Sequence, residues 1–299
     1  MTTRAWPVRI MHVRIMLAFT LATTTVAGAA EVHYDTFVTS TGPGSKLLIG
    51  GYDDGALTAI VPAEQMRVFG GEVVGSGTTL PFEGEAPGEP GFRAGDQAFL
   101  NGAAMTPAGV YTALAGATPL TFTFQPITVG ATTRNLFFWN GEGEVGFAPV
   151  GGNVVLGLTK PGGSGWTRSI SGTSSGVQSG STIQNTGTGG TVHTHLFASI
   201  AKDGAAPDQG FYLYALQLSM TGYTSSDPIY YVFGALDPLA LAPQFADLEA
   251  FEAAHGLAES WVDSNIAYVP EPATWLSAVA FTAAGIATRR RRRSSADRL

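Results

Sequence analysis

The chain has 299 residues, with 16 lysines and arginines against 23 aspartates and glutamates, a formal net charge of −7, and no cysteine. Disulfides and thiolate metal sites are therefore closed to it, so its stability comes from its core or from a bound metal. With most arginines near the two ends, the stretch Glu31–Val269 carries seven basic and 21 acidic residues, a net −14; that balance predicts no nucleic-acid partner and an affinity for cations.

At the start, Arg4, Arg9 and Arg14 precede an apolar centre, Ile15–Val26, and a small-residue exit, Ala27–Ala30. This is the order of a secretory signal peptide, residues 1–30, which stands outside the fold. From 31 to 236, Gly and Pro are frequent and turn signals recur about every ten residues. The expected class is all-β, an antiparallel β-sandwich or jelly-roll-like domain. A first strand covers Val32–Val38, with His33, Asp35 and Phe37 on one face. Glu72–Gly95 reads as an irregular loop. Leu136–Trp139, apolar on both faces, reads as a central strand, and the Gly/Ser/Thr-rich 161–190 as a surface excursion or short edge strands. Thr191–Ile200, Phe211–Met220 and Ile229–Phe233 read as three consecutive antiparallel strands. Within the linker 237–268, Phe245, Leu248 and Phe251 predict one C-terminal helix over Gln244–His255, stopped by Gly256.

Two motif matches carry no chemistry. Gly141-Glu-Gly-Glu-Val-Gly146 fits a dinucleotide fingerprint, but Pro149 stands where the helix should begin and two glutamates would repel a pyrophosphate. Gly172-Thr-Ser-Ser-Gly176 fits a nucleophile elbow without the strand and helix that such an elbow needs. With no plausible nucleophile or spaced carboxylate pair, the chain is not expected to be an enzyme. Asp53-Asp54-Gly55 lacks the further carboxylates of a Ca²⁺ loop. The informative pair is His193 and His195. Period two puts them on one strand face opposite Val192, Thr194 and Leu196, and two such imidazoles can chelate Zn²⁺ if other ligands join. His33 and Asp35 repeat the spacing, so a set of three histidines and one aspartate forms if the two strands are neighbours. The other reading is two ordinary polar strand faces that carry histidine.

The chain ends in Pro270-Glu271-Pro272, an uncharged stretch Ala273–Thr288, the cluster Arg289, Arg290, Arg291, Arg292 and Arg293, and a polar tail, 294–299. The prolines hold Glu271 extended. The apolar stretch is short of the ~20 residues that span a bilayer comfortably, and the arginines stop it on the cytoplasmic side. This order resembles the PEP-CTERM sorting signal of exosortase substrates, here 269–293. The resemblance implies cleavage near Pro-Glu-Pro by an exosortase-type enzyme, after a transient membrane anchor, and delivery to the cell surface or its polysaccharide matrix.

The body also carries a likeness, in Val192-His-Thr-His-Leu196, Gly210–Leu218, Ser226-Asp227-Pro228 and Tyr231-Val232-Phe233. His33-Tyr34-Asp35, Gln65–Phe69, Pro90-Gly91-Phe92 and Trp139-Asn140-Gly141 add to it. Together they resemble a PEP-CTERM family under zinc-repressor control and related surface-anchored domains with an H-x-H strand. That implies extracytoplasmic zinc handling without a reaction. The alternative is a structural or adhesive matrix component that binds exopolysaccharide.

Overall fold

The structure is a computed structural model that describes residues 34–267 apart from 62–65, 76–81, 85–89 and 161–167. The leader, His33 and the chain from Tyr268 onward lie outside the described residues.

Short runs of β-branched and aromatic residues broken by glycine turns make the chain all-β, with few helices among the described residues. In chain order come β1 (Tyr34–Thr39), β2 (Leu48–Asp53), β3 (Thr58–Ile60), β4 (Val68–Val74), β5 (Phe82–Gly84), β6 (Gly91–Ala94), the short helix α1 (Gln97–Asn101) and β7 (Met105–Thr106). The middle adds β8 (Pro119–Gln125), β9 (Ile127–Val129), β10 (Thr132–Arg134), β11 (Phe137–Trp139), β12 (Ala148–Pro149) and β13 (Val154–Thr159). The last part supplies β14 (Arg168–Ser171), β15 (Thr182–Asn185), β16 (Val192–His195), β17 (Phe197–Lys202), β18 (Gly210–Met220), β19 (Ile229–Leu236) and the helix α2 (Leu248–Val262).

A sheet of six strands runs β16-β6-β1-β2-β3-β7. The larger sheet follows β12-β11-β18-β19-β4-β5-β17-β13-β14, with β8 beside β18 and β15 beside β8. Most pairs are antiparallel, as expected, but β1–β6, β3–β7 and β4–β19 are parallel. Each of those parallel pairs is joined by a long connection, which parallel neighbours require.

The two sheets share a core in which Val38, Phe92, Ala94 and Val192 of the smaller meet Phe69, Tyr214, Tyr231 and Phe233 of the larger. The Thr36 and Tyr231 hydroxyls, 2.7 Å apart, join the sheets across it. On the far side of the larger sheet α2 buries Phe251, Ala258 and Val262 against Phe211, Leu213 and Val232. On the outer side of the smaller sheet, Leu100 of α1 packs with Phe37, Tyr52 and Met105.

Several expectations are corrected. Thr191–Ile200 is not one strand: β16 belongs to the smaller sheet and β17 to the larger, the change falling at Leu196, whose N–H bonds Pro90 O at 2.9 Å. For the same reason β17 is not the neighbour of β18; β19, β4 and β5 stand between them. Glu72–Gly95 is not a loop throughout, since it holds the end of β4, β5 and β6. Leu136–Trp139 lies one strand from an edge, with Phe137 and Trp139 buried on the α2 side and Phe138 against Tyr212 on the other. The helix begins later and ends later than expected. Asp247 caps it, accepting from Ala250 N at 2.8 Å, and it runs through Gly256 to Val262. Gly256 is not a left-handed stop, and a Cβ there would meet nothing within 4 Å, so the glycine is simply tolerated on the open side.

Among the described residues no helix is long and apolar enough to cross a membrane. Pro270, Glu271, Pro272, Ala273–Thr288 and Arg289–Arg293 lie outside them.

Candidate metal centre

β6 is the middle strand of the site. Its register sets Gly91 opposite His195 and Arg93 opposite His193 on one side, and Arg93 opposite Phe37 on the other. Cross-strand partners share a sheet face. Asp35, Gly91 and His195 therefore form one row, and Phe37, Arg93 and His193 the next, on the outer face of the smaller sheet. Phe92, Ala94 and Val192 point the other way, into the shared core.

β1 and β16 are not neighbours, so the condition on which the sequence made the site depend is not met directly. Strands separated by a third are about 9.5 Å apart, too far for short side chains to meet directly. Gly91 removes the obstacle. A Cβ there would lie 1.7 Å from Asp35 Oδ1 and 2.5 Å from Asp35 Cγ, so the carboxylate occupies the space that a side chain at 91 would fill. One donor atom each from Asp35, His193 and His195 then lies within 4.8 Å of the others. The two imidazoles stand 5.5 Å apart, centre to centre, at 63°. His33, the fourth expected ligand, lies outside the described residues.

Arg93 is the competing cation. Its Nε donates to Asp35 Oδ2 at 3.0 Å, a terminal nitrogen donates to Asp54, and its guanidinium carbon sits 4.5 Å above the Tyr52 ring. Burial pushes the Asp35 carboxyl up from the usual carboxylate range, against the pull of Arg93 and His195. Partial desolvation by its neighbours, with the Arg93 charge and the His195 ring beside it, holds His193 below an ordinary imidazole. A neutral imidazole keeps a lone pair for a metal.

The donor set fits a small borderline cation. Imidazole and carboxylate suit Zn²⁺ and its first-row neighbours, and three protein ligands leave a fourth position open. Bonds of about 2.0–2.1 Å in a tetrahedron need donors about 3.3 Å apart, so the cluster would close by at most about 1.5 Å. Gly91, Arg93, Tyr52 and Asp54 were not singled out in the sequence as parts of this site. The available signal was the alternation Gly-Phe-Arg-Ala between Pro90 and Gly95, which is only four residues long.

Gly91→Ala tests how Asp35 arrives. The added Cβ meets the movable end of a side chain, so the protein should fold with a stability within about 1–2 kcal/mol of the parent. Displacing the carboxylate should weaken zinc binding by about 10–100-fold, the usual scale for disturbing a ligand's support. Equal zinc affinity in the variant would show that Asp35 does not belong to the set.

No family model, curated protein or solved structure matches the chain. The chemistry of the site thus rests on its own residues.

Proposed function

We propose that this is an exported, surface-sorted, non-catalytic protein that binds a divalent cation, first of all Zn²⁺, through His193, His195 and Asp35. The observation that carries the reading is the Asp35 carboxylate lying over Gly91 within reach of two imidazoles on a strand that is not its neighbour. Two sheets over a common core make a sandwich the natural class for the scaffold. The signal-like start and the Pro270-Glu271-Pro272 tail support export, passage through the membrane and an exosortase-type partner.

A second reading follows from Arg93, which already neutralises Asp35. In that case the cluster is an ion pair beside two surface histidines, and the protein is a structural or adhesive component of the polysaccharide matrix. Calorimetric titration of the purified full-length protein with zinc chloride separates the two. The metal reading expects a 1:1 complex tighter than about 10 μM. Weaker binding, with no change in melting temperature, would leave the second reading in place.

A further inference from the structure

Beside the centre lies a cleft of about 280 Å³ lined by Phe37, Tyr52, Phe99, Arg93 and His193. Its aromatic rings pack on one another at 5.8–6.4 Å between centres. Apolar walls with a few convergent polar groups are the usual anatomy of a small-molecule site. This volume, at the low end of such sites, suits one substituted ring. Asp96, also in the lining, is engaged as the cap of α1, accepting from Phe99 N at 2.8 Å.

The polar part of the cleft depends on what Asp35 does. With Asp35 and Asp54 both on Arg93, the guanidinium is balanced by two carboxylates. A cation on Asp35 Oδ1 neutralises the carboxylate whose Oδ2 Arg93 Nε meets, and adds positive charge next to His193, which lines cleft and centre alike. Both changes favour an incoming anion. A guanidinium fork matches a carboxylate, and a metal with three protein donors accepts a further oxygen. The acidity of the body opposes this only weakly, because charges beyond about 8 Å are screened at physiological salt.

We infer that the cleft binds a small ring-bearing carboxylate, and does so only after a divalent cation has neutralised the Asp35 charge that Arg93 otherwise balances. The inference rests on the proposed metal centre. The ring lies against Tyr52 and Phe99 while the carboxylate meets Arg93 and the cation. Uronic acid units of a polysaccharide and aromatic acids share this chemistry. Binding of the two ligands is reciprocal, so the carboxylate tightens zinc by the same factor that zinc tightens the carboxylate.

The test uses the full-length protein, titrated with sodium glucuronate and with sodium benzoate, with and without saturating zinc. Glucose and benzamide serve as uncharged counterparts. At least one carboxylate should bind about tenfold or more tightly with zinc than without, and better than its uncharged counterpart. Whichever acid does so identifies the source. Phe99→Ala should weaken the carboxylate and leave zinc unchanged. Arg93→Gln should weaken the carboxylate yet strengthen zinc, an opposed pair of effects that misfolding does not produce. Zinc binding without any zinc-dependent carboxylate binding overturns this inference and leaves the metal reading standing. Failure of zinc itself to bind overturns both.

Discussion

Replacing His193 and His195 together by alanine is expected to lower zinc affinity by at least about a hundredfold. Losing an outer-shell partner typically weakens a metal by 10–100-fold, and a direct ligand should matter at least as much, so two removals compound to at least that figure. The residue left, Asp35, would stay with Arg93, with which it already pairs. The same loss is visible in melting. A ligand at about 100 times its Kd stabilises the folded state by about 2.7 kcal/mol. For a domain of this size that corresponds to about 5–10 °C, at about 2–4 °C per kcal/mol. The parent should show that zinc-dependent rise and the double variant should not. Without metal the two should melt alike, since His193 is exposed and His195 half-buried, and surface changes usually stay within about 0.5 kcal/mol. A zinc-induced rise that survives in the double variant would place the metal elsewhere.

The parts of this fold that the sequence reveals are those where one pattern persists over many residues. β18 and β19 are long, apolar and antiparallel, as expected from Phe211–Met220 and Ile229–Phe233. The alternation of Val192, Thr194 and Leu196 against His193 and His195 was also legible, and it holds. What it could not convey is that the chain changes sheet at Leu196, because period two continues unbroken through a change of partner. β6 is not legible in the same way, because four residues with a glycine and an arginine carry little strand signal. Yet β6 decides the site: it separates the two ligand strands, and its glycine lets Asp35 cross. Spacing along one strand can be read from sequence, whereas the strand in between cannot. Gly256 misled in the opposite direction. Phe251, His255, Ala258 and Val262 keep helical spacing on both sides of it, and burial of that stripe outweighs one glycine.

Phe211→Ala should be the most damaging single substitution on the opposite side of the molecule. Phe211 is fully buried on β18 and touches four rings: Phe251 at 4.9 Å, His255 at 5.4 Å, Trp139 at 5.4 Å and Phe245 at 6.0 Å. Its partner across the ladder is Gly234, where a Cβ would lie 2.7 Å from the Phe251 ring, so Phe251 rests on bare backbone beside Phe211. Removing the Phe211 ring takes away the contact that holds α2 at this point. The neighbours cannot collapse freely, because His255 Nε2 stays tied to Val232 O at 2.8 Å. Phe→Ala in such a setting costs about 3–5 kcal/mol, which is a large share of the roughly 5–15 kcal/mol typical of a whole domain. Thermal melting should drop by about 6–20 °C. Zinc affinity should not change, since the larger sheet and the shared core separate Phe211 from His193, and distant sites act independently. A drop below about 1 kcal/mol would mean that α2 settles into the gap, and that the aromatic cluster does not anchor it.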